Sequence, residues 1–100
     1  MELYQAEWCP HSHRVRQRLT ELGLDVVLRQ VPAEPDERAA LEAATGQREI
    51  PALVTEDGEV LCSDDTILAY LNQRPSERAD AERHRAKARE EVPQFAELGG

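Results

Sequence analysis

The stretch Trp8-Cys9-Pro10-His11-Ser12-His13-Arg14-Val15-Arg16 constrains this chain more than any other. An apolar pair, Leu3 and Tyr4, leads into it, and Val15, Leu19 and Leu22 lead out. Apolar residues three and four apart line one face of a helix, so the local order is strand, short loop, helix. Cys9 stands at the helix start with Pro10 in the first turn, where the missing N–H removes no helical hydrogen bond. A thiol there meets unpaired backbone N–H groups and the positive end of the helix dipole, which favour thiolate over thiol. Arg14, Arg16 and Arg18 add a weaker, solvated contribution. A free cysteine is more commonly a small buried hydrophobe. The proline directly after Cys9 and its place at the helix start favour a reactive thiol.

The remaining composition bounds the setting. One hundred residues support a single core, and an apolar fraction of 40% suits a folded domain. With 20 acidic against 12 basic residues the net charge is -8, which argues against a nucleic-acid partner. No apolar run approaches a membrane span, and Met1-Glu2-Leu3 begins no secretion signal. A cytoplasmic location is expected. Cys9 and Cys62 are too few for a disulfide framework, or for a zinc site without histidines.

Read in order, Glu2–Ala6 is a short strand, followed by a helix over Pro10–Leu22 that Gly23 stops. Asp25–Val31, β-branched and mostly apolar, reads as a central strand buried on both faces, ended by Pro32 and Pro35. Asp36–Ala44 has an acidic first turn and high helix propensity, closed by Gly46. Ile50–Val54 and Glu59–Cys62 flank Thr55-Glu56-Asp57-Gly58, a hairpin signal. Ser63-Asp64-Asp65 then caps a helix that turns Ile67, Leu68 and Leu71 inward. The expectation is an α/β domain with a mixed four-stranded sheet, order β-α-β-α-β-β-α. It spans residues 1–74, and 75–100 form a polar helical or partly disordered tail. Within the tail Asp80 and His84 are spaced to pair, Arg85 and Arg89 repel, and Val92, Phe95 and Leu98 offer weak docking.

Three separated segments carry a family resemblance: Cys9-Pro10-His11-Ser12, Gly46-Gln47-Arg48-Glu49-Ile50-Pro51 and Cys62-Ser63-Asp64-Asp65. The first resembles the Cys-Pro-x-Cys or Cys-x-x-Ser redox loop. The second is similar to Gly-x-x-Thr-Val-Pro, whose proline follows a cis peptide bond. The third resembles Gly-Ser-Asp-Asp before the last helix. Together they resemble the thioredoxin fold in its glutaredoxin form. Cys9 through Arg16 and Ile67-Leu68-Ala69-Tyr70-Leu71 also resemble the N-terminal domain of glutathione transferases.

The resemblance implies a glutathione-dependent thiol–disulfide oxidoreductase of monothiol type, with glutathione as co-substrate and no metal. Its partners would be glutathione and glutathionylated or disulfide-containing proteins, and the chain would be a monomer. Cys9 would be the nucleophile, with Pro10 behind it. Ser12 replaces a resolving cysteine; it is either a donor to the Cys9 sulfur or an ordinary first-turn residue. The Ile50 backbone beside Pro51 would pair with the cysteinyl part of glutathione. The Ser63 and Asp64 amides would take the γ-glutamyl carboxylate, and the Asp64 side chain its ammonium. Gln47 or Arg48 would meet the glycyl carboxylate, with Arg48 the better charged. Trp8 packs over the site or contacts substrate, or is a simple hydrophobic lid, and His11 is an exposed loop residue or an aid to the thiolate. Cys62 is a second thiol near Cys9 that could resolve it. Many glutaredoxins carry a lysine three residues before the cysteine; Ala6 stands there, so that cation is missing. Three other readings remain: a non-catalytic transferase-like interaction module, an iron–sulfur cluster carrier, and metal binding by Cys9, His11 and His13.

Overall fold

A computed structural model describes the backbone of residues 1–98 and the side chains of residues 1–91. The elements are β1 (Glu2–Gln5), α1 (Pro10–Leu22), β2 (Val27–Gln30), a 3-10 turn (Pro35–Glu37), α2 (Ala39–Thr45), β3 (Ala52–Val54), β4 (Val60–Cys62), α3 (Asp64–Leu71) and α4 (Ala81–Leu98). The sheet order is β2-β1-β3-β4, with β1 parallel to β2 and the other two pairs antiparallel. This is a mixed α/β, thioredoxin-like arrangement.

Register explains the core. Leu3 lies opposite Leu53, and Leu53 opposite Leu61, so one cross-strand row is continuously apolar. Val15, Leu19 and Leu22 of α1 and Ile67 and Leu71 of α3 close over that row, giving one cluster. Gly23 ends α1 at φ 70°, its amide donating to Thr20 O at 3.0 Å while Leu24 donates to Leu19 O at 3.0 Å. Only a residue without a Cβ takes that conformation cheaply.

Two expectations need correction. The strand over 25–31 is shorter, and all four residues of β2 are exposed. It is an edge strand paired with β1 alone, and the seven-residue α2 buries only Leu41. The apolar run reported strand propensity, not burial. The helix expected over 36–44 is split into the 3-10 turn and α2 by Arg38, which is buried. Its guanidinium donates to the carbonyls of Pro32 at 2.8 Å, Ala33 at 3.0 Å and Arg48 at 3.0 Å. Those carbonyls lie in the loops before and after the expected helix, so the buried guanidinium ties the two loops together.

The polar tail forms α4, which lies against α1. Ala81 is buried there, and ion pairs join the two segments among the described residues. Glu21 Oε1 accepts from Arg18 at 2.8 Å and from Arg85 at 2.8 Å, while Glu77 also bonds both arginines. The Arg78 amide donates to Glu21 O at 2.9 Å. Asp80 and His84 pair at 3.4 Å, as their spacing predicts. The expected docking of Val92, Phe95 and Leu98 lies outside the described side chains. Among the described residues no helix is long and apolar enough to cross a membrane.

The network has a pH signature. Hydrogen bonds from Arg85 and then Arg18 pull the Glu77 carboxyl down from 4.5 to about 2. For Glu21, burial pushes upward, but donors from Arg18, Gln17 and Arg85 outweigh it and the net direction is down. A depressed carboxyl stabilises the fold fully above its unfolded value and loses that contribution as pH falls through its folded value. The urea midpoint is therefore expected to fall between about pH 4.5 and pH 2, and Glu77→Gln should flatten that fall. A parallel decline in both proteins would remove Glu77 from the account.

Candidate functional site

Cys9 is the N-cap of α1, in extended conformation at φ -80° and ψ 117°, with Pro10 in the first helical turn. Its Sγ accepts the Ser12 amide N–H at 3.4 Å. The helix thus directs an orphan first-turn donor at sulfur, where a capping oxygen would ordinarily sit. Ser12 itself is buried, and its Oγ has no hydrogen-bond partner among the described residues. The serine reaches the sulfur through its backbone. Cys9 is 6% exposed, and both Cys9 and Cys62 are free thiols.

Beside this cap lies a cleft of about 190 Å³ lined by His11, Glu49, Ile50, Pro51, Ser63 and Asp64. Three distant segments meet there: the first turn of α1, the loop into β3, and the start of α3. The Ile50–Pro51 peptide is cis. Ser63 caps α3, its Oγ accepting the Thr66 amide at 3.3 Å, and its φ of 74° is unusual for a residue with a Cβ. This strained residue turns the chain from β4 into α3 at the cleft's edge.

Asp64 is the electrostatic centre. Its Oδ2 bonds His11 Nδ1 at 2.9 Å and accepts from Arg14 Nη1 at 2.6 Å, and its Oδ1 accepts the Asp65 amide at 3.1 Å. The His11 ring, and then the Arg14 guanidinium, hold the Asp64 carboxyl below its ordinary range, although burial opposes them.

Cys9, Pro10 and Ser12 therefore gather at the α1 cap, with Ile50, Pro51, Ser63 and Asp64 at the adjoining cleft. Three other expected residues, Arg48, Trp8 and Gln47, are not among those that line the cleft. Arg48 bonds the Glu42 carboxylate and donates to the carbonyls of Pro35 at 3.2 Å and Asp36 at 2.7 Å, so its fork holds α2 to the preceding turn. Trp8, next to Cys9 in the sequence, is exposed. Gln47 donates to Thr45 Oγ1 and to Glu49 O, within its own loop. The sequence reading gave Glu49 no role, although it immediately precedes Ile50-Pro51. It also missed the joint hold of His11 and Arg14 on Asp64. The signal for that pair was their separation of three on one helix face. His11 is engaged with Asp64, and among the described residues no group of three or more His, Cys, Asp or Glu side chains is placed to hold a metal ion.

A family model described as the glutathione S-transferase N-terminal domain matches residues 3–79. A glutathione transferase family member from Pseudomonas fluorescens Pf-5, solved with bound glutathione, is 32% identical with a TM-score of 0.66, covering 72% of this chain and 37% of that one. Glutathione S-transferase 1-6 from Anopheles dirus species B is 27% identical with a TM-score of 0.67, covering 80% and 38%. Glutaredoxin 2 from Salmonella typhimurium, in complex with glutathione, is 25% identical with a TM-score of 0.63, covering 93% and 45%. The chain spans less than half the length of each. No curated protein matches the sequence.

Proposed function

Because the chain belongs to the glutathione S-transferase N-terminal domain family, we propose that it binds glutathione and reduces glutathione mixed disulfides through Cys9. The carrying observation is the α1 cap, in which the Ser12 amide donates to the Cys9 sulfur beside a cleft formed by three separated segments. Two of its structural relatives were solved with glutathione, which supports that thiol as co-substrate.

In the first step the Cys9 thiolate attacks the glutathione sulfur of a mixed disulfide. The Cys9–glutathione S–S bond forms, the original S–S bond breaks, and the partner leaves as a thiolate that water protonates. In the second step a glutathione thiolate attacks the glutathione sulfur held by Cys9. Glutathione disulfide leaves and the Cys9 thiolate is restored. Overall the mixed disulfide and one glutathione become the partner thiol and glutathione disulfide, the bonding pair of the original S–S bond leaving with the partner sulfur.

Ser12 cannot resolve Cys9, so the cycle uses one protein thiol. Cys62→Ser is accordingly expected to keep the glutathione-dependent release of a glutathionylated peptide within about twofold of wild type. Loss of most of that activity in Cys62→Ser would instead assign Cys62 the resolving role. Absence of turnover in the wild type would leave a binding module without redox activity.

A further inference from the structure

The cleft's buried carboxylate is already engaged by the protein's own side chains. The Asp64 side chain is 11% exposed, and its Oδ2 carries both His11 Nδ1 and Arg14 Nη1. Its Oδ1 carries the Asp65 amide. A carboxylate offers about four lone-pair directions, and three have donors. A ligand ammonium arriving here would have to displace a charge-assisted donor, or share an oxygen with a guanidinium whose like charge repels it. The outward parts of these two partners are differently placed: the side chains of His11 and Arg14 are 63% and 53% exposed. His11 lines the cleft and offers it an imidazole edge, while Arg14, behind Asp64, also donates from Nη1 to Asp65 Oδ1 at 3.3 Å and keeps its other guanidinium N–H groups half exposed.

From this cluster we propose that the site selects low-molecular-weight thiols by a carboxylate and not by a free amine. It therefore accepts thiols whose amine is acylated or absent as readily as glutathione. This rests on the reading that Cys9 works with a small thiol, and it specifies the chemical class of that thiol. His11 and Arg14 are the specificity-determining residues. They bind the ligand's carboxylate while occupying the only buried carboxylate that lines the cleft among the described residues. The remaining lining acid, Glu49, is exposed to solvent. It offers an amine a screened and weak attraction.

The test uses unreactive thioethers, so that binding is read apart from chemistry at Cys9. S-methylglutathione and its N-acetyl derivative are titrated into the wild-type protein by calorimetry. The dissociation constants are expected to agree within about threefold, because no strong contact depends on the amine. In the double variant His11→Ala with Arg14→Gln, Asp64 is left without either side-chain partner. The free-amine ligand should then be favoured by about tenfold or more, the size of one charge-assisted hydrogen bond. If that variant does not fold, His11→Ala alone carries the comparison, with a smaller shift in the same direction. A wild-type preference of tenfold or more for the free amine would overturn the inference while leaving glutathione binding intact. An unchanged ratio in a folded double variant would also overturn it. No binding of either ligand to the wild type would overturn both this inference and the glutathione reading beneath it.

Discussion

Cys9→Ser is expected to reduce glutathione-dependent disulfide reduction by at least about a thousandfold, to the uncatalysed background. A serine hydroxyl is scarcely ionised near neutrality and forms no disulfide, so both steps of the cycle lose their nucleophile. Cys62 does not stand in, because it lies in β4 opposite Ala52, without the first-turn amide that Cys9 receives. The same substitution should leave the fold intact. Serine is among the best N-cap residues, and its oxygen can accept the Ser12 amide that sulfur now accepts. Peptide deglutathionylation and thermal melting together separate the two effects. Activity should vanish while the midpoint holds or rises, and a variant that melts early would point to a structural role for the thiol.

Leu53→Ala should produce the largest loss of stability. Leu53 is fully buried in β3, between Leu3 and Leu61 in register and beneath the helices that contribute Val15, Ile67 and Leu71. Truncation removes three carbons from the middle of a two-layer core, at a cost of about 3 kcal/mol. For a domain of this size that is a large part of a total near 5–15 kcal/mol, and it lowers the midpoint by about 10–20 °C. Leu28→Ala on the exposed edge strand β2 is the matched control, with an expected change within about 0.5 kcal/mol. Equal losses at the two positions would contradict the placement of the core on the face covered by α1 and α3.

Much of the fold was legible because its signals are local. Gly23 and Gly46 marked helix ends, Asp57-Gly58 marked the hairpin, and Ser63 marked the α3 cap. The boundaries of α1 follow from Pro10 and Gly23 and match the expected span. Burial was less legible, since it depends on what covers a strand. Val27 and Leu28 look like core residues, but both are exposed, and among the described residues β2 is the edge of the sheet. Arg38 likewise reads as a solvated helical residue, although its fork is buried among three carbonyls.

The site divides in the same way. Cys9, Pro10 and the Ile50–Pro51 step are visible as short motifs, and so is the Ser63-Asp64 cap. The charge state of the cleft is not, because Asp64 meets His11 and Arg14 across 53 and 50 positions of sequence. Arg48 illustrates the converse. Its charge suggested a ligand anion, and no local pattern showed that Glu42 and two backbone carbonyls would bond it. The ionic seam between α1 and α4 was hidden for another reason. A helix with little apolar surface has little drive to dock by burial, and here Arg85 and Glu77 meet Glu21 and Arg18 across the gap instead.

The central claim is that Cys9 exchanges disulfides with a small thiol in a one-cysteine cycle, and intact mass tests it most directly. Wild-type protein is incubated with glutathione disulfide near neutral pH, beside Cys9→Ser and Cys62→Ser. The account predicts one glutathione adduct on the wild type and on Cys62→Ser, none on Cys9→Ser, and full reversal by excess glutathione. An unmodified Cys9, or an adduct confined to Cys62, would contradict it.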